Sequence, residues 1–257
     1  MYFDYFDLLS GSEVLLRGVG HLRSPLVGEL KPNSGLGYQA YRLYLGVLSW
    51  DKEHVLKYMR LMEYRGVDKL ARNELTVFDV FVLIPQMREL CRGVLSFFMV
   101  ENLIWDARSR SFLAMSPSEE NVPVGEITRD NFEDVRAAML QMNYVGLDKD
   151  DTPIKHSSEK SKELWEKAQQ YLKEQANQDT EDSKPEYKLS NIVSKVCSIH
   201  PSYNLLNICD LTIFQLYDTF FQLSYMRSAD LSERIFSNHG GEKFKFEAWL
   251  KPIQTNI

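Results

Sequence analysis

The chain has 257 residues, of which 44% are hydrophobic, 12% aromatic and 26% charged, with a formal net charge of −6. That length bounds it to one large domain or two small ones, and the apolar share supplies a sizeable core, which excludes wholesale disorder. The acidic balance excludes a global basic field that would recruit nucleic acid or an anionic membrane.

The first residues, Met1-Tyr2-Phe3-Asp4-Tyr5-Phe6-Asp7, are acidic and aromatic, the opposite of a signal peptide's basic start and apolar middle. Residues 13–23 alternate irregularly around Gly18 and Gly20, which predicts a short strand or hairpin. Ser24-Pro25 reads as an N-cap with proline at the first helical position, opening a short helix through Leu30. After the turn-forming Lys31-Pro32-Asn33-Ser34-Gly35, the residues Tyr38, Tyr41, Leu45 and Leu48 recur at helical spacing. Ser49-Trp50-Asp51 caps a second helix that carries His54, Val55, Tyr58 and Met62. A third helical stretch opens at Leu75-Thr76-Val77, and Pro85 kinks or splits it because proline lacks the amide donor. Its second part predicts burial of Met87, Leu90, Cys91, Val94, Leu95 and Phe98.

Residues 101–106 and 111–115 flank a charged turn and predict a β-hairpin. A polar loop over 116–123 leads to an amphipathic helix with Phe132, Val135, Met139 and Met142 on one face. The stretch 158–177 is a polar helix by propensity, and the run to Glu186 closes it as a linker. Beyond it, Ser190 caps a helix that His200-Pro201 stops, and Asp210 caps a long helix towards Phe236. Residues 243–249 alternate as a strand. The expected fold is mainly α with minor β-hairpin elements. It divides into an N-terminal helical domain (1–150), a polar helix and linker (151–186) and a C-terminal helical domain (187–257). Leu75-Thr76-Val77-Phe78-Asp79 also echoes Leu211-Thr212-Ile213-Phe214-Gln215, either a duplicated unit or a common helix start.

Chemistry is harder to find. The three cysteines, Cys91, Cys197 and Cys209, are widely spaced in apolar stretches, which predicts buried thiols in a reducing compartment rather than a disulfide framework. His21, His54, His156, His200 and His239 stand in unrelated contexts, without a metal-ligand spacing or a nucleophile elbow. Asp148-Lys149-Asp150-Asp151-Thr152-Pro153 begins like a calcium loop, but proline takes the place of the turning glycine. Arg88, Arg92, Arg108 and Arg110 are interleaved with acids, so no phosphate-binding face forms. Catalytic, cofactor and metal residues are therefore expected to be none. What remains is the aromatic surface. On the last long helix Phe214, Tyr217, Phe221 and Tyr225 fall beside the expected core face, and they are the predicted protein-binding residues.

Two stretches carry a family resemblance. Phe78-Asp79-Val80 through Phe97-Phe98-Met99-Val100-Glu101 to Trp105-Asp106 is one; Asp210-Leu211-Thr212-Ile213-Phe214-Gln215-Leu216-Tyr217-Asp218 with Phe244-Lys245-Phe246-Glu247-Ala248-Trp249-Leu250 is the other. Both resemble tail assembly chaperones, or related tail-morphogenesis proteins, of phages of Gram-positive bacteria. The resemblance implies a non-enzymatic protein of the host cytoplasm that coats the tape-measure protein until tail-tube subunits replace it. It also implies self-association, and the acidic balance leaves neither nucleic acid nor membrane as an expected partner. A structural component of the virion, a tail or neck protein, is the alternative.

Overall fold

The computed structural model describes residues 3–31, 37–118, 122–145 and 188–239. They form a mainly helical fold with two small antiparallel sheets, as the sequence predicts. The predicted helix over 158–177 and the predicted strand over 243–249 lie outside the described residues. So does the middle part, 151–186, of the predicted three-part division.

The chain opens with helix α1 (Tyr5–Ser10), started by the Asp4 carboxylate, which accepts from the Phe6 amide at 2.8 Å, and ended by left-handed Gly11. Strands β1 (Val14–Leu16) and β2 (Gly20–Leu22) make the expected hairpin, with Val14 opposite Leu22. The helix expected after Ser24-Pro25 does not form. Only a single 3₁₀ turn, Val27–Leu30, is present. The backbone before it is occupied elsewhere: the Pro25 carbonyl accepts from the Ile213 amide at 2.9 Å, and the Val27 amide donates to the Leu211 carbonyl at 2.8 Å. A residue that pairs across the fold as an extended strand cannot also supply the first turn of a helix.

Helices α2 (Gly37–Ser49) and α3 (Lys52–Leu61) follow as expected, with Asp51 accepting from the His54 amide at 2.9 Å. A short α4 (Val67–Arg72) is an addition to the sequence reading. Pro85 does split the third helical stretch, into α5 (Val77–Leu83) and α6 (Pro85–Phe97), with extended Ile84 at the break and Pro85 in the first turn of α6. The predicted hairpin is β3 (Asn102–Asp106) and β4 (Ser111–Met115); a third strand, β5 (Pro123–Ile127), extends it to the order β3–β4–β5. Gly125 is required there. A Cβ at this position would lie 2.5 Å from the Val19 carbonyl oxygen, because the β1–β2 hairpin crosses directly over β5.

Helix α7 (Phe132–Met142) buries Phe132, Val135, Met139 and Met142, the predicted face. The last two described helices are α8 (Leu189–Ile199) and α9 (Ile213–His239). Helix α9 is capped by Thr212 rather than Asp210. The Thr212 hydroxyl accepts from the Gln215 backbone amide at 3.2 Å, and Gln215 Oε1 accepts from the Thr212 backbone amide at 2.9 Å. Thr76 and Asp79 make the same reciprocal pair at the start of α5. The echo between the two segments is thus a shared capping box at two helix starts. Buried residues of the N-terminal elements and of α8 and α9 join in one hydrophobic cluster, from Phe3 to Phe221. Among the described residues no helix is long and apolar enough to cross a membrane.

Candidate functional site

The four aromatic residues predicted as a partner surface are interior. Phe214, Tyr217, Phe221 and Tyr225 are all buried, with 9% exposure at most. The cover of the first three is Tyr144, in the turn after α7. It adopts the left-handed conformation (φ 62°), and the Val145 amide closes that turn on the Leu140 carbonyl at 2.9 Å. This geometry lays the Tyr144 ring on α9, with centroids 5.0 Å from Phe214, 6.2 Å from Tyr217 and 5.4 Å from Phe221. The expectation of an uncovered aromatic face on α9 is therefore corrected: a residue some seventy positions earlier fills the place assigned to a partner.

Beside this aromatic stack lies the most deeply buried carboxylate on α9. Asp218 is 7% exposed, and one of its oxygens accepts from both the Tyr5 hydroxyl, at 2.7 Å, and the Tyr144 hydroxyl, at 3.3 Å. Burial raises the Asp218 carboxyl above its ordinary value of 3.8, and the two hydroxyl donors offset only part of that rise. Both tyrosines are pushed up in turn, by burial first and by the Asp218 charge second. The folded chain thus holds the Asp218 proton more tightly than the unfolded chain does. The stabilisation from this group is complete below the ordinary carboxylate value and is lost as pH rises from there through the raised folded value. Asp218→Asn is expected to remove that slope and to melt higher than the parent chain at neutral pH. Melting curves from pH 3 to pH 8 check it; identical pH profiles for the two chains would refute it.

His21, His54 and His200 each make contacts within local structure. The Glu101 carboxylate, almost wholly buried, accepts from the His21 amide at 2.9 and 3.0 Å, and His21 Nδ1 lies 2.8 Å from it. This fastens β2 to the segment after α6, where the Arg23 amide also donates to the Phe98 carbonyl and the Val100 amide to the His21 carbonyl. His54 Nδ1 sits 2.9 Å from its own cap, Asp51. Among the described residues no group of three His, Cys, Asp or Glu is placed to hold a metal ion. The Cys91 thiol is pushed up by burial, which makes it unreactive.

A different feature stands out in the loop between α8 and α9. Leu205 and Leu206 are 73% and 91% exposed, beside Ile199 at 39%. The loop that displays them is pinned by side chains to its own backbone. His200 Nδ1 accepts from the Ser202 and Tyr203 amides at 3.2 and 3.3 Å, and the His200 ring stacks on Tyr203. Asn204 Oδ1 accepts from the Leu206 amide at 2.8 Å. Asn207 Oδ1 accepts from the Asn204 amide at 2.8 Å, while Asn207 Nδ2 donates to the Ser202 carbonyl at 2.9 Å. The Asn207 and Ile208 amides both donate to the Asn204 carbonyl. Such Asx-type bonds hold a loop in one conformation, so the ordering cost of presenting the two leucines is already met in the free chain. Sequence reasoning missed this place, although Asn204-Leu205-Leu206-Asn207, an apolar pair bracketed by turn-forming asparagines, is its signal.

The same region carries a family match. Residues 178–254, which include α8, the pinned loop and α9, match the model of the YomV second domain, a phage-associated family, and the match fits a phage protein. No curated protein and no solved structure matches the chain.

Proposed function

We propose that this phage protein is a non-enzymatic tail-morphogenesis factor, a tail assembly chaperone that binds the tape-measure protein in the host cytoplasm. The observation that carries the reading is the pinned loop with Leu205 and Leu206 held in solvent. Two adjacent leucines contribute nothing to folding there, whereas each gains about 1.5–3 kcal/mol when a partner buries it. A long apolar helical partner offers repeated sites for such a contact, and a coat of several copies multiplies a weak interaction. The match of 178–254 to a phage-associated domain and the resemblance to tail assembly chaperones both support the assignment. Tail-tube subunits are the expected successors on the same partner.

Co-expression with the tape-measure protein of the same phage tests the reading. The double variant Leu205→Ser/Leu206→Ser is expected to melt like the parent chain, since exposed positions away from packed contacts shift stability by no more than about 0.5 kcal/mol. Its co-purification with the tape measure should fall at least about tenfold, the loss of one well-placed leucine contact. Undiminished recovery of the partner would overturn the assignment of this loop. Stoichiometric presence of the protein in purified particles would replace the chaperone by a tail or neck component.

A further inference from the structure

We propose that residues 3–11 are a releasable strap, closed over a polar stripe of α9 and held there by hydrogen bonds to Asp218 and Gln215. The inference is independent of the tail-chaperone reading. Helix α1 is six residues long and buries a single side chain of its own, Leu8, preceded by buried Phe3. Phe6, the largest apolar residue within it besides Tyr5, is 76% exposed. An isolated helix of this length has no stability of its own, so contacts with the rest of the molecule must hold it.

Phe3 and Leu8 anchor the segment in the core and the Tyr5 ring meets Phe214 edge-on at 6.2 Å; the other contacts are polar. The Tyr5 hydroxyl donates to Asp218 at 2.7 Å. Gln215 Nε2 donates to the Leu9 carbonyl at 2.8 Å and lies against Gly11, where a Cβ would come within 2.7 Å of it. From α7, Gln141 Nε2 reaches the Phe3 carbonyl at 3.3 Å. Gln215, Asp218 and Gln222 are spaced three and four residues apart, so they form one face of α9. The N-terminal segment therefore lies along a polar stripe and touches the neighbouring aromatic stripe at Phe214 through Tyr5, while Tyr144 packs on Phe214, Tyr217 and Phe221.

Charge makes the closed form metastable. Among the described residues no Lys, Arg or His forms an ion pair with Asp218, and its only hydrogen-bond donors are the two neutral hydroxyls. A buried carboxylate without a cation carries a desolvation cost that water relieves as soon as the cover lifts. Lifting the strap withdraws Phe3 and Leu8 from the core and, against that cost, rehydrates Asp218 and Gln215 together. A segment anchored by two buried side chains and a few hydrogen bonds opens at a cost below that of the whole fold, and switching elements are drawn from such segments.

Native-state hydrogen exchange of the full chain tests this. The amides of 5–11 are expected to exchange at least about a hundredfold faster than those of 86–97, at a rate unaffected by low denaturant, the mark of local opening. Tyr5→Phe should speed exchange of 5–11 by about fivefold, the loss of one hydrogen bond, and leave 86–97 unchanged. Asp218→Asn should slow it at neutral pH, because a neutral amide accepts the Tyr5 hydroxyl without a buried charge. Equal protection of 5–11 and 86–97, lost together with rising denaturant, overturns the strap. An unchanged rate in Tyr5→Phe overturns the Tyr5–Asp218 bond as its catch.

Discussion

Tyr144→Ala is expected to cost about 3–5 kcal/mol of folding stability, the range for a buried aromatic cut to alanine. Three α9 aromatics lose a ring 5.0–6.2 Å away, and Asp218 keeps only Tyr5 as a donor. Against a total of about 5–15 kcal/mol for an ordinary domain, that is a large fraction, and the melting temperature should fall by about 10 °C. Tyr144→Phe separates the ring from its hydroxyl. With the bond to Asp218 at 3.3 Å, its loss should sit near the lower end of about 0.5–1.5 kcal/mol. Phe221→Ala and Tyr217→Ala fall in the same class as Tyr144→Ala, because all three rings belong to one stack. They should destabilise the fold and leave the co-purified tape measure per folded molecule unchanged. Urea denaturation of the four variants decides the matter. A loss below about 1 kcal/mol in Tyr144→Ala would mean that the ring does not close the core.

The residue that covers α9 explains where sequence reading succeeds and where it stops. Helices α2, α3, α5, α6 and α7 announce themselves locally, through a capping Asp or Thr, a proline at a break and a 3.6-residue apolar period. Each of those signals is satisfied by neighbours within about one turn, so no tertiary information is needed. The 3₁₀ turn at Val27–Leu30 is different. The Ser24-Pro25 start signal is overridden by pairing with residues near 212, a contact that no local window contains. β5 is hidden for the opposite reason, since Pro123 and Gly125 are poor strand formers and are tolerated only at an edge crossed closely by the β1–β2 hairpin. The predicted partner face fails through the same blindness. A helical wheel of α9 shows that Phe214, Tyr217, Phe221 and Tyr225 need cover, but the identity of the cover depends on a left-handed residue at the end of another helix. Conversely, the exposed Leu205-Leu206 pair reads as an ordinary apolar pair until the asparagine bonds on either side show that the loop cannot fold it inwards.

The second large effect is expected at Arg136, a buried cation that serves a helix not its own. It is 7% exposed, and its Nε donates to the Leu48 carbonyl at 2.7 Å while Nη2 donates to the Trp50 carbonyl. These are orphan acceptors at the end of α2, where the partial negative charge of the helix is concentrated. The third donor, Nη1, bonds Glu133 at 2.9 Å. Arg136→Met keeps the stem against the core and removes all the donors. It is expected to cost about 3 kcal/mol, from two carbonyls left unpaired in a buried place. Arg136→Lys should recover no more than half, because a single ammonium cannot reproduce the planar fork that reaches two carbonyls and a carboxylate. Glu133→Gln should cost less than about 1 kcal/mol, since its carboxylate is largely exposed and solvent-screened. Urea midpoints of the three variants test this order. A Glu133→Gln loss equal to that of Arg136→Met would place the stabilisation in the ion pair; no loss in Arg136→Met would remove Arg136 as the cap of α2.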